Sequence, residues 1–240
     1  MKKRAAQKKG KVSTGNEFLD RLTNGGFEKN SSNLVVGNSG SGKTIFGVQF
    51  LIEGLKKNEA CMYLTFEEKK ENFYDNMLDL GWNLAELEKK GKFHFLQYSP
   101  KKVKTMLEEG GGIIETIIVR EKITRLVIDS ITSFVVLFDR EIRKREAVLS
   151  LFNILRNWNC TTLLIYEGNP LQKKSIDNQI LEFECDSLIY LYYLREKDTR
   201  NRFLEVIKMR GSEHEKKIYP FTIDQGITLI NKPYIGKLKE

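Results

Sequence analysis

This chain of 240 residues is sparing with the residues that divide, cross-link or anchor a protein. It has four prolines, and no Pro/Ser-rich linker interrupts it, so one domain with a substantial core is expected rather than two small ones. Its three cysteines, Cys61, Cys160 and Cys185, are far apart and form no C-x-x-C pair. That excludes a disulfide framework and a cysteine zinc site; they read as reduced, mostly buried thiols of a cytoplasmic protein. No uninterrupted apolar run approaches the roughly 18 residues that span a bilayer, so no membrane insertion is expected. The basic N-terminus has no apolar segment behind it, which argues against a secretory signal. No internal repeat is visible, and low complexity is confined to the first eleven residues.

What is present begins with charge. Residues 1–11 carry six of the 40 Lys/Arg and no acid, leaving 34 basic against 32 acidic side chains in a nearly neutral body. Such a segment either solubilises as a disordered tail or holds nucleic acid or an acidic partner by neutralising phosphates. The tail reading is favoured, since the body shows no separate DNA-binding domain and no aromatic-basic interleaving of the kind that stacks single strands.

The most informative segment is Gly37-Asn38-Ser39-Gly40-Ser41-Gly42-Lys43-Thr44, directly after the apolar run Leu34-Val35-Val36. This is G-x-x-x-x-G-K-T at the end of a strand, the phosphate-binding loop of P-loop nucleotide hydrolases. Small residues let backbone N–H groups turn inward around an anion. The following helix points its positive dipole end at the same place. Lys43 would reach the β- and γ-phosphates of ATP, and the Thr44 hydroxyl would bind Mg²⁺.

Apolar strands alternating with helical patterns predict an α/β fold, a mostly parallel sheet covered on both faces. A short helix carrying Phe18, Leu19 and Leu22, capped by Thr14 or Asn16, precedes the first strand. The P-loop helix runs to about Lys57. A strand over 60–66 ends at Glu67-Glu68, and a helix over 70–80 follows. Phe93–Leu96 is a short strand. A helix near 102–121 is broken by Gly110-Gly111-Gly112. The strand 125–130, a helix over 143–157 and the strand 161–166 come next. The segments 186–194, 202–209 and 216–230 form antiparallel strands at the C-terminal edge.

Ligands of an open parallel sheet sit beyond the carboxyl ends of its strands. Three strands end there in acids: Glu67-Glu68, Asp129 and Glu167. Asp129, after Leu-Val-Ile, is the expected Walker B acid, holding Mg²⁺ opposite Thr44. Hydrolysis also needs a carboxylate to orient the attacking water and accept its proton. Glu67 is the expected base and Glu68 its assistant, adjacent strand residues facing opposite ways. Glu167 is a weaker candidate near the γ-phosphate.

Taken in order, these residues resemble the KaiC-type ATPases of the RecA superfamily. The lead Val12-Ser13-Thr14-Gly15 with Leu19-Asp20 and Gly25-Gly26-Phe27 is similar to that family's T-G-x-x-x-L-D…G-G opening. The P-loop, Phe66-Glu67-Glu68, Gly81-Trp82-Asn83-Leu84 and Leu126–Ser130 follow in the family's order. Lys208-Met209-Arg210-Gly211-Ser212-Glu213-His214 resembles its K-x-R-G-x-x-H segment, and Pro220-Phe221-Thr222-Ile223 with Gly226-Ile227 its closing P-F-x-I…G-I. The resemblance covers about 12–232 and implies a RecA-like core, the ATPase domain being placed at 12–235 behind the 1–11 tail. It also implies a homo-oligomeric ring, usually a hexamer, with ATP between neighbours. Lys208 and Arg210 would then reach the neighbour's γ-phosphate, and His214 the nucleotide. A strand ending Lys-x-Arg presents both cations on one face.

The chain departs from the family at Asn38-Ser39 and Ser41, where backbone groups still serve phosphate, and at Lys11-Val12-Ser13. Its end at Glu240 and the lack of a suitable adjacent Ser-Thr pair argue against a phosphorylation cycle. The leading expectation is Mg²⁺-dependent ATP hydrolysis, read by an unknown protein partner as signalling or assembly. The alternatives are an ATP-bound scaffold or switch of an archaellum-type or signalling complex, and a DNA recombination or repair accessory.

Overall fold

The computed structural model describes residues 10–99, 102, 105, 112–172, 176–196 and 198–238. Two short strands, Lys11–Val12 (β1) and Phe27–Glu28 (β2), pair antiparallel around the helix Glu17–Leu22 (α1). Then come Ser32–Gly37 (β3), Lys43–Lys56 (α2), Ala60–Thr65 (β4), Lys70–Asp79 (α3), Leu84–Lys89 (α4) and Phe93–Gln97 (β5). Gly112–Glu121 (α5), Ile123–Asp129 (β6), Ile131–Val135 (α6), Glu141–Asn157 (α7), Thr161–Glu167 (β7) and Ile176–Glu184 (α8) continue the α/β alternation. Ser187–Glu196 (β8), Thr199–Met209 (β9), Ile218–Ile223 (β10) and Ile227–Leu229 (β11) finish it.

Nine strands share one sheet in the order β11-β10-β9-β8-β3-β7-β6-β4-β5. From β8 to β5 every neighbouring pair is parallel; β9, β10 and β11 add antiparallel at the C-terminal edge. The predicted α/β class and mixed sheet are therefore present. In detail, β8 is parallel to β3 and antiparallel only to β9. The segment 216–230 is a hairpin, because Gly226 at φ 128° turns the chain at Asp224–Gly226. Gly112 opens α5; Gly110, Gly111 and residues 1–9 lie outside the described residues. Lys11 belongs to β1, opposite Glu28.

Strand alternation sorts the core into two layers. Leu34, Val36, Leu126, Ile128 and Leu164 face Ile114, Phe134 and Phe152 of the α5–α7 side. Val35, Tyr63, Val127, Leu163 and Ile165 face Phe46, Phe50 and Phe73 of α2 and α3. Asn16 caps α1, its Oδ1 accepting from Leu19 N–H at 2.9 Å. Thr14 instead donates to Asp20 Oδ1 at 2.7 Å, which closes the lead on itself. Gln49 of α2 ties both chain regions to the P-loop helix, donating to Gly15 O at 2.7 Å and accepting from Ile227 N–H at 2.7 Å.

Arg125, near the amino end of β6, is 1% exposed. Its Nε and Nη2 meet the Glu59 carboxylate at 2.6 and 3.2 Å. Its Nη1 donates to Ser13 O at 2.8 Å and Phe50 O at 2.9 Å. Among the described residues no helix is long and apolar enough to cross a membrane.

Candidate active site

The loop 37–44 leaves β3 at the carboxyl end of the parallel strands. Register places Gly37 beside Glu167 of β7 and Thr65 of β4 beside Asp129 of β6, so the strand-end acids converge on the loop. Gly42 caps α2 at φ 96°, and a Cβ there would sit 2.8 Å from Ile223 Cδ1, so only glycine serves. Ser39 and Gly40 are exposed, while Ser41 is buried and its hydroxyl has no hydrogen-bond partner among the described residues. The Asn38 side chain pairs with the Tyr193 backbone, donating to its carbonyl at 3.0 Å and accepting from its N–H at 3.1 Å. That fastens the loop to β8 and leaves Asn38 only its backbone for a ligand.

Lys43 is 7% exposed and donates one hydrogen bond, to Asn38 O at 3.0 Å. Burial pushes its pKa below that of an ordinary lysine, against the opposing pull of Glu167 and Asp129. Thr44 Oγ1 donates to Asp129 Oδ2 at 2.8 Å. Burial raises the Asp129 pKa, opposed by the Tyr63 and Thr44 hydrogen bonds and by Lys43. Mg²⁺ in nucleotide sites takes one or two protein oxygens and completes its octahedron with waters and phosphates. The adjacent Thr44 hydroxyl and Asp129 carboxylate fit that demand. Among the described residues no group of three or more His, Cys, Asp or Glu offers an all-protein metal cage.

The expectation that Glu67 and Glu68 continue β4 is corrected. The strand stops at Thr65, whose Oγ1 accepts from Glu67 N–H at 3.3 Å and Glu68 N–H at 3.2 Å. This side-chain turn ends the strand, so period-two alternation does not decide which acid faces inward. Glu67 is exposed and accepts from the Ser133 hydroxyl in the middle of α6. Glu68 is half-buried and accepts from Asn76 at 3.5 Å; burial, and then the nearby Asp129 charge, raise its pKa. Glu167 is exposed, and its N–H donates to Thr132 Oγ1 at 2.7 Å.

Lys208, Arg210 and His214 are not brought to this loop. β9 runs antiparallel to β8 with Met209 opposite Ser187, and Ser187 sits beside Asn33 at the amino end of β3. Lys208 Nζ donates to Glu182 O at 2.8 Å and Phe183 O at 3.0 Å, and Arg210 Nη2 donates to Phe183 O at 2.7 Å. The two cations do share one face, at the carboxyl end of α8. His214 is half-buried, in a surface cleft shared with Arg21, Asn24 and Glu213.

Sequence reasoning missed Tyr63, whose hydroxyl donates to Asp129 Oδ2 at 2.6 Å. The available signal was a tyrosine inside an otherwise apolar buried strand, since a buried phenol demands a polar partner.

Residues 12–234 match the family described as "ATPase: KaiC". The circadian clock oscillator protein KaiC of Thermostichus vulcanus is 34% identical over 230 residues, 91% of this chain and 44% of that protein. The circadian clock protein KaiC3 of a Synechocystis strain is 29% identical over 229 residues, 92% of this chain and 45% of that protein. The chain thus spans less than half the length of these curated relatives. A KaiC-like protein of the archaeon Pyrococcus horikoshii superposes with a TM-score of 0.80 at 30% identity, covering 92% of this chain and 99% of that one. A phosphate loop joined to a strand-end aspartate, on a fold and sequence shared over nine-tenths of the chain, shows that this protein belongs to the KaiC family of RecA-superfamily ATPases.

Proposed function

We propose that this chain binds Mg²⁺–ATP at 37–44 and hydrolyses it. The observation that carries the reading is the 2.8 Å contact between Thr44 and Asp129 beside a buried lysine. Lys43, and backbone N–H groups of Asn38, Ser39, Gly40, Ser41, Gly42 and Thr44, hold the phosphates. Thr44 and Asp129 hold the metal. Glu67, exposed beside Ser133, orients the attacking water, and Glu68 stands behind it as charge partner. Lys208, Arg210 and His214 lie at the other end of the strands from their own P-loop, which supports their acting on a neighbour's nucleotide in a homo-oligomeric ring, a hexamer by family likeness. Turnover then changes the ring and is read by a protein partner in the cytoplasm.

The test is ATPase rate against nucleotide binding. Glu67→Gln is expected to keep ATP binding and lose about 10²–10⁴-fold in rate, as removal of a general base does. Glu68→Gln is expected to lose less. Unchanged turnover in Glu67→Gln rejects Glu67 as the base. For the shared site, Lys43→Ala and Arg210→Ala are each expected to be inactive alone. Mixed, they would restore roughly a quarter of the interfaces, since a heterologous ring joins one subunit's loop to the next subunit's cations. A mixture that stays inactive refutes action across the interface.

A further inference from the structure

We infer that Tyr63 is a positioning residue for the metal-holding carboxylate, fixing Asp129 beside Thr44, where the two would hold the cation; this rests on the Mg²⁺–ATP reading above. Tyr63 is fully buried in the middle of β4. Its ring stacks on Phe73 at 4.3 Å with 30° between planes and lies nearly parallel to Phe95 at 6.0 Å. Fully buried and packed against both rings, which also touch each other at 5.3 Å, the ring has little freedom, so its hydroxyl is a fixed donor. That hydroxyl reaches Asp129 Oδ2 at 2.6 Å, the same oxygen that accepts from Thr44 at 2.8 Å. Both hydrogen bonds converge on one carboxylate oxygen, and among the described residues Oδ1 takes none.

The two donors differ in what nucleotide binding asks of them. Thr44 is itself a metal-holding oxygen, so its hydroxyl must aim a lone pair at the cation as well as its proton at Asp129, and its orientation is set by both. Tyr63 has no such second task. It is the donor that keeps the carboxylate in place while Thr44 serves both, as the outer hydrogen-bond partners of metal ligands do elsewhere. A tyrosine that merely satisfied its own burial would carry no consequence for metal affinity beyond its share of stability.

The experiment is Mn²⁺ titration of the ATP-bound protein followed by electron paramagnetic resonance, with ATP affinity in excess chelator measured alongside. Tyr63→Phe keeps the ring and removes only the donor. It is expected to weaken Mn²⁺ binding about 10-fold, within the range for outer-shell partners, and to leave metal-free ATP affinity unchanged. In an Asp129→Asn background the same change is expected to have no further effect, because Tyr63 acts through that carboxylate. Mn²⁺ affinity within twofold of wild type in Tyr63→Phe overturns the inference. So does an equal loss of metal-free ATP affinity, which marks a general structural role. Wild-type protein that binds ATP but no Mn²⁺ instead overturns the metal reading on which the inference stands.

Discussion

Two buried cations stand at opposite ends of the sheet, and their surroundings differ in kind. Arg125, at the amino end of β6, has a carboxylate, two backbone carbonyls and the face of Phe50 at 4.7 Å around it. Lys43, beyond the carboxyl end of β3, has one neutral carbonyl and two acids at longer range. A guanidinium with four of its five N–H donors directed at fixed partners holds a fold together. An ammonium kept below its ordinary proton affinity by burial, at the mouth of a phosphate loop, is suited to gain from an arriving anion. Within one sheet, a cation saturated by the fold thus stands apart from one whose surroundings leave it open to a ligand.

The sharpest way to break it is substitution to methionine at each site. Arg125→Met leaves Glu59 and two carbonyls without their donor, and the expected loss is about 3 kcal/mol, at the low end for a broken buried pair because Glu59 is partly exposed. Urea unfolding monitored by circular dichroism measures it, and a loss below about 1 kcal/mol would place Arg125 with ordinary surface cations. Lys43→Met should act in the opposite sense. A lysine whose folded-state pKa is lowered costs stability while it is charged in both states. That cost is fully present below the folded pKa and fades as pH rises through it toward the unfolded value. Lys43→Met is therefore expected to unfold at equal or higher urea concentration than wild type near neutral pH, with the gap closing as pH rises. Its ATP affinity is expected to fall on the order of 10²-fold, the scale of losing charged hydrogen bonds to phosphate. A destabilised Lys43→Met would show that this lysine, too, serves the fold.

The same contrast explains what was legible in the sequence. The phosphate loop was readable because its chemistry demands contiguous small residues and a Lys-Thr pair. The position of Asp129 was readable because an apolar run ending in an acid marks the carboxyl end of a buried strand, which is where it meets Thr44. The α/β class followed from buried strands between helical patterns, and the sheet edge from the late strands. Arg125 was not readable, because its meaning lies in Glu59 and Ser13, residues distant in sequence that only the folded chain brings near. The turn at Thr65 escaped for a related reason: a side-chain hydroxyl accepting two backbone N–H groups leaves no periodic trace. Several family motif residues serve the wrap around α2, with Gly15 and Ile227 held by Gln49 and Thr14 held by Asp20. Their recurrence in a pattern gave the family without revealing which residues do chemistry. Lys208 and Arg210 were recognisable by likeness, yet within one protomer they meet the end of α8 and, for Arg210, the Asp186 carboxylate just after it at 3.7 Å.

The smallest effect gives the most local reading of the two ends. Cys61, Cys160 and Cys185 are buried, and burial pushes each thiol up to about 12. Only the thiolate attacks an alkylating reagent, so at pH 8 a pKa near 12 leaves roughly one thiol in 10⁴ reactive and the native protein should label slowly at all three. Cys61 shares the Arg125 pocket: a Cβ built on Gly54 would lie 2.5 Å from Arg125 Cδ and 2.8 Å from Cys61 Sγ. Cys160 lies elsewhere, its thiol directed at Ile123 O at 3.1 Å. Loosening the amino end by Arg125→Met is therefore expected to speed iodoacetamide labelling of Cys61 several-fold over Cys160, since local opening and not global unfolding limits access. Lys43→Met should leave both rates unchanged. Peptide mass spectrometry resolves the sites. Equal acceleration of Cys61 and Cys160 would mean that losing Arg125 loosens the whole core, and the division between a structural end and a functional end would then be one of partners alone.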